Sequence, residues 1–226
     1  MISFRFFTAL VLAALIGTAA LAQGFDYKAV LEGGARANVT IDADFEARSG
    51  RQMPLYFTTA IPTAEDRMQV RLDTSQEGKY MVVTFFDMDG QVLEKLEMRE
   101  ATMPEAPLQE RQANLADMLR NQVFPSVTEG QEMRLLGVRA SEIAGYPAVE
   151  LVALYQLPDL GDVAFRIVAV IPPSGEHVLL ALSHSVLRQI AMQKTADLQG
   201  TLVGSTLNAL HFTASHDAGG GVISFE

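Results

Sequence analysis

The sequence predicts an α+β fold: an antiparallel β-sheet (meander) flanked by helices on both faces, a three-layer α/β/α sandwich. Three observations predict it. Four apolar segments of strand length, at 133–143, 147–155, 163–171 and 177–185, are joined by three breaks rich in turn-forming residues, at 144–145, 156–161 and 172–176. The two middle segments are apolar on both faces. Val149, Leu151 and Ala153 alternate with Ala148, Val152 and Leu154, and Val163, Phe165, Ile167 and Ile171 oppose Ala164, Val168 and Val170. Strands of that kind must be covered on both sides, and helical patterns stand before and after the meander to cover them.

Taken in order, residues 1–22 read as a secretory signal peptide. Arg5 precedes the apolar run 8–21, and Ala20-Leu21-Ala22 supplies the small-x-small pattern for cleavage near Ala22/Gln23. The run is short for a membrane anchor; sequencing the mature N-terminus separates cleavage from retention. Residues 23–214 are expected to form a single sandwich domain, and 215–226, with three consecutive glycines from Gly219, a flexible C-terminal tail.

Within the domain, Val39, Ile41, Ala43 and Phe45 alternate with polar residues and predict a short strand over 37–45. A second strand at 55–61 is stopped by Pro62. A third at 68–72 has Met68, Val70 and Leu72 on one side and Gln69 and Arg71 on the other, as at a solvated sheet edge. Segments 79–87 and 91–98 flank Asp87-Met88-Asp89-Gly90, a hairpin signal. A calcium loop in that register would need oxygen ligands where Phe85 and Leu96 stand. Residues 101–107 read as a connector. A helix over 108–124 follows from the spacing of Leu115, Met118, Leu119 and Val123, with Pro125 as its stop. A second helix over 191–210 carries a stripe of Leu198, Leu202, Val203, Leu207 and Leu210, and Gly200 and Gly204 are expected to let it approach the sheet closely.

Composition removes several functions. The formal net charge is −10, and losing the signal removes Arg5 and no acid. An acidic exported protein is repelled by nucleic acid and by anionic membrane surfaces. With no cysteine in the chain, disulfides, thiolate metal sites, thiol catalysis and a lipid-modified cysteine are excluded. The expected location is a bacterial periplasm or the secreted fraction.

A resemblance completes the reading. Residues 143–151, which run Ile-Ala-Gly-Tyr-Pro-Ala-Val-Glu-Leu, together with Ala169-Val170-Ile171-Pro172, Gly175 and the stripe over 198–210, resemble the Mog1/PsbP-like superfamily. The resemblance covers about residues 108–212 and consists of apolar and turn residues without a catalytic signature. It implies a non-enzymatic binding or accessory module acting through protein–protein contacts in the cell envelope, with another envelope protein as partner and no cofactor.

The polar residues offer one constellation. A two-residue loop at 144–145 sets Arg139 opposite Glu150, and a loop centred on Asp159 makes Glu150 and Arg166 diagonal neighbours on the same face. Arg139, Glu150 and Arg166 then form either an internally paired ion network or a site for an anion or carboxylate. The second reading is the alternative function, a small-molecule binding protein or hydrolase. Nothing else converges. His211, His216 and Asp217 lack metal-ligand spacing, His184 has no catalytic partner in sequence, and Ser174 and Ser205 lack the Gly-x-Ser-x-Gly elbow. Glu65-Asp66 reads as solvated charge. Met81, Met88, Met98 and Met103 cluster around the hairpin, and residues 98–107 are the place to expect a protein partner. No catalytic, metal or cofactor-binding residue is assigned.

Overall fold

The computed structural model describes residues 25–129, 131–173, 175–190 and 194–213; the expected signal and tail lie outside the described residues. The first described element is a helix that periodicity does not reveal. Asp26 accepts a hydrogen bond from Ala29 N at 3.0 Å and caps α1 (Tyr27–Gly33). Strand β1 (Ala35–Ile41) then ends four residues before the expected 45, because Asp42 caps α2 (Ala43–Ser49) by accepting from Phe45 N at 2.8 Å. Ala43 and Phe45 are therefore helical, a correction to the predicted strand.

β2 (Tyr56–Thr63) continues through Pro62, which was expected to stop it. β1 lies on one side of Pro62, while β10 (His211–Thr213) pairs only with residues 56–58. At Pro62 the strand is itself an edge, where a missing N–H costs no ladder bond. β3 (Met68–Asp73), β4 (Met81–Asp87) and β5 (Val92–Thr102) form as predicted, β5 taking the first residues of the expected connector. The hairpin between β4 and β5 is held by the Asp87 carboxylate, which accepts from Asp89 N at 3.0 Å and Gln91 N at 2.8 Å, with Gly90 at φ 78°.

α3 (Leu108–Met118) passes through a π-helical turn, Leu119–Val123, into α4 (Phe124–Val127). The helix thus runs beyond Pro125, because the proline falls in the first turn of α4, where the wider π turn has already released its N–H from the ladder. The meander follows as β6 (Arg134–Ile143), β7 (Tyr146–Leu157), β8 (Gly161–Val170) and β9 (His177–Val186). The helix expected over 191–210 is instead a 3₁₀ segment, Thr195–Gly200, followed by α5 (Leu202–Asn208). Thr201 breaks them: its backbone is extended (ψ 174°) and its hydroxyl caps α5 by accepting from Gly204 N at 3.0 Å.

The strands make one seven-stranded antiparallel sheet, in order β3-β4-β5-β9-β8-β7-β6, and a three-stranded sheet β1-β2-β10. α3 and the π turn bring Leu115 and Leu119 onto one face of the large sheet, against Val149, Leu151, Phe165 and Ile167. The other face packs Met81, Leu96, Met98, Val168 and Val170 against α5 and the small sheet through Val203, Leu207, Phe57 and Phe212. Helices flank both faces as expected, and the small sheet shares the second layer with α1 and α5. Gly204 does not approach the large sheet. A Cβ there would lie 2.3 Å from Leu198 O and 2.5 Å from Gln199 O, so its close neighbour is the preceding 3₁₀ segment.

Candidate functional site

The turn between β6 and β7 fixes the site. Ala144 (φ 52°) and Gly145 (φ 82°) are both left-handed, the requirement of the two-residue hairpin turn whose twist matches the flanking strands. That register sets Arg139 opposite Glu150. Across β7 and β8, Glu150 pairs with Val168 and Val152 with Arg166, so Glu150 and Arg166 are diagonal on the same face. The structure therefore brings together all three residues singled out in the sequence.

Glu150 divides its two oxygens between two arginines. Oε2 accepts from Arg139 Nε at 3.0 Å and Nη2 at 2.8 Å, and Oε1 accepts from Arg166 Nε at 2.5 Å. The side chains of Glu150 and Arg166 are 1% and 3% exposed, whereas that of Arg139 is 47% exposed. One carboxylate thus serves two guanidiniums, and Arg166 Nη2 is buried without a partner. Burial pulls the Arg166 guanidinium down from its ordinary value, against the opposing pull of Glu150.

The polar row continues toward the sheet centre. Ser183 on β9 lies opposite Arg166 and donates its hydroxyl to Arg166 O at 3.4 Å. Ser185, one row further on, lies opposite Glu94 on β5. Glu94 is fully buried, and its Oε2 accepts from Val203 N at 2.7 Å, tying the first turn of α5 to the sheet. Burial raises the Glu94 carboxyl to about 7, against hydrogen bonding that lowers it. The Tyr27 hydroxyl of α1 faces the same carboxyl without closing a bond of ordinary geometry, and burial pushes it up. Sequence reasoning missed Glu94. The signal was parity: in β5, Glu94 shares the inward side with Leu96 and Met98, while Lys95, Glu97 and Arg99 alternate outward.

With this geometry in view, no family model and no curated protein matches the chain. Solved structures do. LpqN of Mycobacterium tuberculosis, involved in cell envelope biogenesis, is 11% identical over 81% of this chain and 95% of its own, with a TM-score of 0.47. The cyanobacterial PsbP of Synechocystis is 11% identical over 80% and 95%, with a TM-score of 0.42. The Ran-binding protein Mog1p of Saccharomyces cerevisiae is 12% identical over 78% and 96%, with a TM-score of 0.38.

The remaining sequence candidates scatter. His184 has a partner that the sequence did not show: its Nδ1 is 2.9 Å from the Tyr155 hydroxyl, and its ring lies 4.9 Å from that of Phe165. Burial, helped by the charge of Lys95, lowers it to about 4. His211 Nδ1 is 3.3 Å from the Tyr146 hydroxyl, and Ser205 Oγ accepts from Arg36 Nη2 at 2.9 Å. His216, Asp217 and Ser174 lie outside the described residues. Among the described residues no group of three or more His, Asp or Glu side chains is placed to hold a metal ion. The methionine region turns inward: Met81, Met98 and Met103 are buried, and only Met88 at the hairpin tip is exposed. Met103 N donates to Glu176 O at 2.6 Å, so the 98–107 connector is tied to the loop before β9.

Proposed function

We propose that the protein is an exported binding or accessory module that acts in the cell envelope through contact with another envelope protein and catalyses no reaction. The observation that supports it best is the state of β6. The strand is ten residues long and ends the seven-stranded sheet. Unlike β7 and β8, which are apolar and buried on both faces, it is exposed along most of its length, with Leu135 and Leu136 38% and 42% exposed. Its outer side meets no strand among the described residues. An edge of that length offers a row of free N–H and C=O groups to an incoming strand, and the two leucines add apolar contact, the two ingredients of recognition by strand addition. Export rests on the pattern of residues 1–22; among the described residues no helix is long and apolar enough to cross a membrane.

A photocrosslinking amino acid placed at Leu136 in living cells tests this. The expected result is an adduct with a second polypeptide, absent when the same probe replaces the exposed Glu77. No adduct at Leu136, or equal adducts at both positions, removes the proposal. A second reading, small-molecule anion or carboxylate binding or hydrolysis at Arg139, Glu150 and Arg166, is supported by the two guanidiniums sharing one carboxylate and by the unpartnered Nη2 of Arg166. Its test is loss of anion binding in Arg139→Gln, the exposed member.

A further inference from the structure

We propose that a cleft on the sheet face partly covered by α4 binds a small organic anion, a carboxylate carried on a short apolar or aromatic group. The register builds the cleft. Lys95 on β5 lies opposite His184 on β9, and His184 opposite Phe165 on β8; one row along, Glu97 lies opposite Leu182. Val127, the last residue of α4, supplies the facing wall, and Arg99 closes the far end of a space of about 150 Å³.

The charges in this cleft do not balance. Glu97 is its one acid, and Lys79 Nζ already holds it at 2.7 Å. Arg99 Nε lies 3.9 Å from the other Glu97 oxygen, an ion pair too long for a hydrogen bond, so its buried N–H has no acceptor. Lys95 makes no ion pair among the described residues. Lys79, Lys95 and Arg99 thus gather around one carboxylate and leave an excess of positive charge at the cleft, in a chain whose net charge is −10. A planar guanidinium with a free N–H is suited to a carboxylate. His184 adds a fixed polar group: Tyr155 and Phe165 hold its ring, and it remains uncharged at neutral pH, so it offers a hydrogen bond without a further charge.

Apolar side chains stand beside the cations. Phe165 and Leu182, 1% and 6% exposed, form part of the cleft floor, and Val127 lines it from α4. That favours an organic anion over an inorganic one, because a hydrated ion gains nothing from those walls. The volume is below the roughly 300 Å³ of an ordinary ligand pocket, so it accepts a small acid or the end of a longer molecule. A free small carboxylate and the C-terminal carboxylate of a peptide share this chemistry.

The test is an amide NMR titration of the ¹⁵N-labelled protein at neutral pH with phenylacetate, benzyl alcohol, inorganic phosphate, and a short peptide ending in phenylalanine as free acid or amide. Expected are saturable shifts at Lys95, Arg99, Leu182 and His184 with phenylacetate and none with benzyl alcohol. Arg99→Gln should weaken binding about tenfold or more, as loss of a charge-assisted bond implies. Lys95→Gln, at an exposed position that leaves the fold intact, should weaken it about threefold. Tighter binding of the free-acid peptide than of phenylacetate identifies a chain terminus as the source; binding of phenylacetate alone identifies a small acid. No saturable shift with either acid, equal shifts from phosphate, or unchanged affinity in Lys95→Gln overturns the proposal.

Discussion

Replacing Glu150 by glutamine keeps its shape and removes the charge that Arg139 and Arg166 share. The consequences for the two arginines differ because their surroundings differ. Arg139 is 47% exposed and regains water; Arg166 is 3% exposed and is left as an unpaired buried cation. Breaking a buried pair from one side costs about 3–5 kcal/mol, while losing an exposed pair costs about 0–1 kcal/mol. Glu150→Gln should therefore lower stability by about 3–5 kcal/mol, and Arg139→Gln by no more than about 1 kcal/mol. At a urea slope of about 2 kcal/mol/M, the first corresponds to a midpoint shift of about 1.5–2.5 M. The chain has no tryptophan, so far-UV circular dichroism is the appropriate signal. A Glu150→Gln midpoint indistinguishable from that of Arg139→Gln would refute the reasoning, because it would mean that Arg166 does not depend on Glu150.

Other predictions concern separate elements. Burial raises the Glu94 carboxyl in the folded state to about 7 from its ordinary value of 4.5. Between those values the folded protein holds a proton that the unfolded chain has released, so stability present below about pH 4.5 is lost as pH rises toward 7, by on the order of 3 kcal/mol. Glu94→Gln, which can still accept from Val203 N, should flatten that slope in chemical unfolding across the window; an identical slope in both proteins contradicts the assignment. Gly204→Ala places a methyl against two backbone carbonyls and should cost about 1–3 kcal/mol, whereas Gly200→Ala, with nothing within 4 Å, should be nearly neutral by the same thermal melt. Asp42→Ala removes the cap on Phe45 N and should cost about 1 kcal/mol in urea unfolding.

The parts of the fold legible in the sequence are those whose signal is local. The meander declares itself because Val149 to Leu154 and Val163 to Val170 are apolar on both faces, and because Ala144-Gly145 leaves room for only one hairpin register. α1 and α2 are seven residues each, under two full turns, too short for a 3.6-residue period to show; their capping aspartates, Asp26 and Asp42, were the readable sign. The leucines of 198–210 satisfy a helical stripe whether or not Thr201 interrupts it, so periodicity alone overextended that helix. β10 could not be read at all, since its three residues become a strand only by pairing with β2, some 150 positions earlier in the chain.

The same contrast bears on what the charged trio does. Apart from the cleft at Lys95, Glu97, Arg99 and His184, the face of the large sheet under α3 and α4 is packed with apolar side chains, while the other carries Glu150, Arg166 and Glu94 among its buried residues. Replacing a buried ion pair with apolar residues of similar size is often neutral or stabilising, so stability alone does not explain these charges. Register offers a physical reason. A one-residue slip of β7 against its neighbours would turn Glu150 toward the apolar face and separate it from both arginines. An all-apolar pair at 150 and 166 would not resist that slip. The double variant Glu150→Leu with Arg166→Met should accordingly unfold at a urea midpoint near that of the parent protein, yet show doubled amide resonances along β6, β7 and β8. A single set of resonances in that variant would assign the trio no part in fixing register.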